Sequence, residues 1–365
     1  MKKILLGSTA LLGAGLLSAS AAAQVELQIS GYAQFEAGFV DEDGDAAAGR
    51  DYDFRQDGWI QFNARGVADN GLEYGAEIEL DDIAADEGIE QDEQYVYVRG
   101  GFGTLRFGDK EGAVKELAVT APTGFGSGGF DGNYGEYMIG TASTAYLLDA
   151  EEAMGDTDAT KITYLTPEFS GFQAGISFTP TDNNKGKSGK QRTDEFLDRN
   201  DDDVIDADDE PLTRPNGEYE NVVGIAANYA ADFEGFNVLV GAGYLFGSAV
   251  EDGEDLRAFD VGLNVGFGGF TVGAQYVLVT EAVGIDEVET IQFGATYEFD
   301  AWTFGANAAL TTEEDLAGDK VDTNIYSVGA TYSVAPGLAV YADSAFIDSD
   351  TGDATVFLVG TAVSF

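Results

Sequence analysis

Apolar and polar positions alternate along most of this chain in short runs. In the first run, Val25, Leu27, Ile29, Gly31, Ala33, Phe35 and Phe39 fall on one parity. Glu26, Gln28, Ser30, Gln34 and Glu36 fall on the other. Successive side chains of a strand point to opposite faces, so the run predicts a strand with one apolar and one polar face. After an acidic connection, 41–53, Ile60, Phe62 and Ala64 alternate with Gln61, Asn63 and Arg65. Asp69, Asn70 and Gly71 lead into Leu72, Tyr74, Ala76, Ile78 and Leu80, set against Glu73, Glu77 and Glu79. Asn-Gly between alternating runs predicts a hairpin. A second acidic connection, 81–90, precedes the run 95–99, which turns through 100–103 into 104–109.

The alternation resumes at Phe172, Ala174, Ile176 and Phe178 and lasts to the final run, Phe357, Val359, Thr361, Val363 and Phe365. Sixteen strands are expected, with tight turns and longer acidic connections taking turns between them. Aromatic residues flank the tight turns: Tyr229 and Phe236, Phe267 and Phe270, Phe299 and Trp302. Rings favour the membrane–water interface, and outer-membrane barrels carry short turns at one end and long loops at the other. No open strand edge survives in hydrocarbon, so such a sheet must close. The expected fold is all-β, a sixteen-stranded antiparallel transmembrane β-barrel. A soluble all-β fold is the other arrangement that alternation allows.

One stretch breaks the rhythm. Lys110 to Lys161, about fifty residues, separates two strand-like runs, whereas most connections are ~4–6 residues long. Loops of that length are functional or disordered. The expectation is a loop folded into the lumen as a constriction. A second polar connection, 180–218, is expected as an acidic outer loop.

Composition narrows the function classes. There is no cysteine and no histidine, which removes disulfides, imidazole bases and histidine-ligated metals. Acids number 66 and bases 18, a formal charge of −48 that rules against nucleic acid as a partner. Met1, Lys2 and Lys3, the apolar stretch 4–17 and Ala21, Ala22 and Ala23 read as a cleaved signal peptide, 1–23. The barrel would then occupy 24–365. No later apolar run reaches the ~20 residues of a helical span.

The stretch Gly101-Phe-Gly-Thr-Leu-Arg-Phe-Gly108 and, after the long loop, Ile162-Thr-Tyr-Leu-Thr-Pro-Glu-Phe-Ser-Gly-Phe172 carry a resemblance. They resemble the general diffusion porins of Gram-negative outer membranes, especially the alphaproteobacterial type. The likeness covers the whole chain after 1–23, and terminal Phe365 is similar to the signal read by the outer-membrane insertion machinery. The resemblance implies a homotrimer, an inward-folded third loop, and passive diffusion of small hydrophilic solutes and ions. Outer-membrane lipid and lipopolysaccharide would surround the chain, and no cofactor would be required. It also implies a basic wall cluster facing acids on the third loop. The position after Phe107-Gly108, commonly basic in the family, is Asp109 here, with Lys110 next.

Within 110–161 the acids outnumber the bases. Glu111, Glu116, Asp131 and Glu136 are candidates for an acidic constriction, which would focus the field and concentrate cations. Arg65, Arg99, Arg106 and Lys110 are candidates for the basic groups of the pore. A generally acidic surface is the other source of these charges. Asp198, Asn200, Asp202, Asp206 and Asp209, with the Val204 carbonyl, fall on the ligand positions of an EF-hand-like calcium loop. The usual sixth-position glycine is Asp203, and a solvated acidic loop is the alternative. The expected function is a cation-preferring outer-membrane porin. Its rivals are a secreted, acidic, calcium-dependent all-β binding or structural protein, and a barrel enzyme. The second is opposed by the lack of histidine and of any nucleophile motif.

Overall fold

The structure, a computed structural model, describes residues 25–42, 50–81, 90–138, 158–182, 185–186, 196–197, 210–211, 219–250, 255–282, 285–350 and 352–365. The first strands are β1 (Glu26–Glu42), β2 (Tyr52–Val67), β3 (Glu73–Asp81), β4 (Glu90–Gly100) and β5 (Gly103–Asp109). After a long segment come β6 (Thr160–Leu165) and β7 (Phe172–Thr181). A separate two-stranded ladder follows, β8 (Phe196–Leu197) with β9 (Glu210–Pro211). Then come β10 (Tyr219–Phe233), β11 (Phe236–Ala249), β12 (Leu256–Phe267), β13 (Phe270–Ala282) and β14 (Ile285–Phe299). The last four are β15 (Trp302–Asp315), β16 (Lys320–Ala335), β17 (Leu338–Ser349) and β18 (Ala354–Ser364).

Sixteen of these strands form one closed antiparallel barrel, and β1 completes it against β18. The signal-peptide expectation, 1–23, and the calcium-loop expectation, 198–209, lie outside the described residues.

A closed sheet has one outer and one inner face. Phe35, Phe39, Ile225, Phe259, Val261, Leu263 and Phe293 share one parity and are exposed, so this apolar face meets lipid. The opposite parity therefore lines the interior. Rings stack beside the tight turns: Phe267 on Phe270 at 5.8 Å, Phe270 on Tyr297 at 4.3 Å. Trp302 meets Tyr332 at 4.7 Å. Gly268 and Gly269, both with positive φ, make the turn between β12 and β13.

Strands run beyond the apolar alternation. Asp41 and Glu42 belong to β1, and Tyr52 opens β2, so the connection expected at 41–53 is shorter. At these ends the acids Asp41, Glu42, Asp51 and Asp53 crowd the sequence while the ladder continues, as in Phe39 opposite Tyr52. The extension puts Arg55 and Asp57 in the barrel wall.

The C-terminal residue closes the seam. Gly31 N donates to the Phe365 carbonyl at 3.1 Å, and Phe365 N donates back to the Gly31 carbonyl at 3.0 Å. Deleting Phe365 is expected to lower the amount of folded protein in outer-membrane fractions and to leave single-channel conductance unchanged. Normal folded levels after the deletion would contradict this.

Candidate functional site

Beyond β5 the chain forms a short helix, α1 (Ala113–Leu117), and then 3-10 turns at Gly129–Asp131 and Asn133–Tyr137. Its contacts step around the wall. α1 packs on β7, β10 and β11. The Thr120 carbonyl accepts from Asn264 Nδ2 on β12 at 3.0 Å. On β15, Asn307 Nδ2 donates to the Pro122 carbonyl at 3.0 Å, and its Oδ1 accepts from Phe130 N at 2.9 Å. Gly126 N donates to Thr331 Oγ1 on β16 at 2.9 Å. On β17, Asp343 accepts from Ser127 N at 3.1 Å, Ser127 Oγ at 2.7 Å and the Tyr134 hydroxyl. Finally Asn133 Nδ2 reaches Glu36 Oε1 on β1 at 3.0 Å. Every wall residue named here has the parity opposite the lipid face. Hydrogen bonds to a charged group contribute roughly 1.5–3 kcal/mol each, so Asp343 is a strong latch.

Two further features seat this segment. The wall offers glycines where the segment comes closest. A Cβ at Gly262 would meet the Val119 carbonyl, and one at Gly305 would strike the Phe125 ring. Interior strand glycines mark such close approach. The wall also offers apolar patches on its inner parity. Val114 and Leu117 bury against a cluster with Leu245, Leu256 and Val277. Phe130, Tyr134 and Tyr137 bury in one with Ile325, Ile347, Val356 and Leu358. Alternation alone reads this parity as the polar face. Its apolar members were the signal that it is partly covered, each side chain gaining ~1.5–3 kcal/mol from burial.

The charged candidates separate into groups. Arg106 and Glu116 form a bidentate pair, Nη1 to Oε2 at 2.7 Å and Nη2 to Oε1 at 3.0 Å. Lys110 Nζ binds Glu93 Oε1 at 2.6 Å and also pairs with Glu111. Glu136 is exposed, with Oε2 3.9 Å from Arg55 Nε, and Asp131 is exposed too. Arg65 and Arg99 lie elsewhere. Both pair with Glu73, at 2.5 and 3.5 Å, beside the tight turns that join β2 to β3 and β4 to β5. Burial favours neutral Lys110, but Glu111 and Glu93 outweigh it and raise its pKa. Burial also opposes ionisation of Glu111, yet Lys110 holds that carboxyl below the usual range. Burial, then the Asp343 carboxylate, raises the Tyr134 phenol, which therefore stays a donor.

The wall of β1–β4 carries residues that sequence reasoning left unassigned. Arg55 pairs with Asp57 at 3.1 Å and Glu36 at 3.5 Å. Tyr32 donates to Asp57 Oδ2 at 2.9 Å, and Gln61 Nε2 to Glu79 Oε2 at 3.0 Å. Glu77 accepts from Asn63 Nδ2 at 2.7 Å and Tyr95 at 2.8 Å. Amides and phenols orient Glu77 and Glu79 without cancelling their charge. This stretch of wall is acidic, where the resemblance implied basic groups. The signal was their shared parity with Gln61 and Asn63.

Comparison with known proteins gives the same architecture. A family model described as Gram-negative porin matches residues 7–352. An uncharacterised protein of Rickettsia felis is 23% identical over 331 residues, 74% of this chain and 75% of that one. One from Rickettsia typhi is 22% identical over the full length of both. Among solved structures, a loop L8 deletion mutant of OmpT, an outer membrane protein of Vibrio cholerae, superposes with a TM-score of 0.61. It is 16% identical, covering 93% of this chain and 99% of that one. A mutant of the Rhodopseudomonas blastica porin gives 0.59 at 17% identity, covering 93% and 100%. At such identities the structures speak for the fold, while the family match runs through nearly the whole sequence. The lipid-facing barrel and that match agree: the chain belongs to the Gram-negative porins of the outer membrane.

Proposed function

We propose that the channel passes small hydrophilic solutes and ions by passive diffusion, that it prefers cations, and that the segment 110–161 narrows it. The observation that carries the preference is the acidic wall, where neutral groups, those of Asn63, Tyr95 and Gln61, hold Glu77 and Glu79. Asp131 and Glu136 add exposed carboxylates from the segment. A cleft lined by one sign of charge focuses the field and raises the local concentration of counter-ions. Selection then comes from bore and lining charge, with no catalytic step and no required cofactor.

Three such barrels assemble in the membrane, with lipid and lipopolysaccharide around their apolar exteriors. Residues 1–23 serve export and are removed. The acidic run 198–209 is a place for calcium, and β8 and β9, which flank it in sequence, pair with each other. The exposed apolar face of the barrel speaks against the rival reading of a secreted soluble protein.

Liposome swelling tests the proposal. Purified protein should admit small neutral sugars at rates that fall with solute size, and a cationic solute faster than an anionic one of equal size. Liposomes that do not swell would contradict the channel. Equal rates for the two charged solutes would contradict the preference.

A further inference from the structure

The chain has two tryptophans. Trp302 is exposed on the lipid-facing parity beside a tight turn, where interfacial rings belong. Trp59 is on the opposite face. It alternates with Ile60 and shares the parity of Gln61 and Asn63, so it lies in the wall of the lumen. It is half-buried and belongs to neither of the apolar clusters that seat the long segment. The fold gains little from a large ring in that position. Trp59 meets Tyr32 of β1 edge to face, with centroids 5.7 Å apart and planes at 87°. The Tyr32 ring is itself fixed by its bond to Asp57.

Negative charge lies next to this ring pair. Gln61 stands opposite Glu79 and holds it through a neutral amide. Glu79 is therefore a diagonal neighbour of Trp59 across the ladder, a spacing of ~7–8 Å. Leu80 lies opposite Ile60, which sets Asp81 beside Trp59. The nearest basic groups are already engaged, Arg55 by Asp57 and Glu36, and Lys110 by Glu93 and Glu111. A cation within ~6 Å of a ring centroid is attracted to its face, most strongly for tryptophan, and quaternary ammonium groups suit such faces well.

We propose that Trp59, with Tyr32 and Glu79, forms a weak binding step for organic ammonium ions on the lumen wall. The channel then distinguishes these ions from potassium, which carries the same charge but has no methyl groups to lay on a ring. What the step selects rests on the channel reading; the binding itself needs no conduction.

Fluorescence tests the binding. Trp302→Phe leaves Trp59 as the sole tryptophan, so the emission of that folded protein in detergent reports the site. Tetramethylammonium chloride should change the emission saturably, whereas potassium chloride at equal ionic strength and glucose should not. Adding Glu79→Gln should weaken the response at least about threefold, since it removes a charge close to the ion. Should that variant fail to give the heat-modifiable folded band, Asp81→Asn carries the same expectation. In planar bilayers tetramethylammonium should also reduce the potassium current of the otherwise wild-type channel. Trp59→Leu should raise the concentration needed about fivefold, and Trp59→Phe should raise it less. No saturable emission change, an equal change with glucose, or the same blocking concentration in Trp59→Leu would each overturn the step. Saturable emission from a protein that fails the swelling measurement would remove the channel and keep the site. Normal swelling with unresponsive emission would remove the site and keep the channel.

Discussion

Gly262→Val lowers the temperature at which the folded barrel gives up its heat-modifiable form, and Gly101→Ala does not. The wall at Gly262 lies against the backbone of the segment, where a Cβ would run into the Val119 carbonyl. A backbone atom cannot swing aside as the end of a side chain can. Overpacking of this kind costs typically 1–3 kcal/mol, and roughly that is expected here. Gly101 stands in a turn, and a Cβ there would meet nothing within 4 Å. The lipid-facing parity of β12 is untouched by the change, so export and membrane insertion should proceed. Single-channel conductance should also differ from wild type, because the segment must move off its seat on β12. Unchanged melting together with unchanged conductance would show that the segment does not rest on this wall.

The barrel was legible because lipid imposes a period of two on one face, whatever the other face does. Phe259, Val261, Leu263 and Val265 announce β12 without reference to any other strand. What the inner face touches was not legible. Leu245, Val277 and Leu358 lie on the polar parity and look like interruptions until Leu117 and Phe130 cover their clusters. Those partners are distant in the chain, and only closure of the barrel brings them together. Arg55 and Asp57 were hidden for a different reason: they follow the acidic stretch 41–53, and Gln56 and Gly58 take the lipid-facing parity beside them, so the apolar alternation is broken there. The same contrast separates two groups of acids. The run 198–209 displays its ligand spacing within one loop. Glu93, Glu111 and Asp158 share no local pattern, and only the meeting of β4 with both ends of the segment assembles them. The bidentate hold of Arg106 on Glu116 likewise has no mark in the sequence.

Neutralising Glu111, Glu116, Asp131 and Glu136 together reduces cation selectivity more than neutralising Asp198, Asp202, Asp206 and Asp209. The reason is both position and pairing. Charges in a narrow lumen are screened less than those on open surface, where the Debye length is ~8 Å at physiological salt. Removing Glu116 also leaves the Arg106 guanidinium without its carboxylate, and removing Glu111 takes one of the two from Lys110. The first variant therefore loses four negative charges and uncovers positive ones beside the segment. Acids in the outer run mainly raise the supply of cations near the mouth. Equal effects of the two fourfold variants would show that the segment is not the filter. The most direct measurement is the zero-current potential of the wild-type channel in a planar bilayer under a tenfold potassium chloride gradient. The account predicts a dilute side that is positive by less than the ~59 mV limit for one charge per tenfold ratio, and a potential that shrinks as both salt concentrations rise. A dilute side that is negative, marking an anion-selective pore, would contradict it.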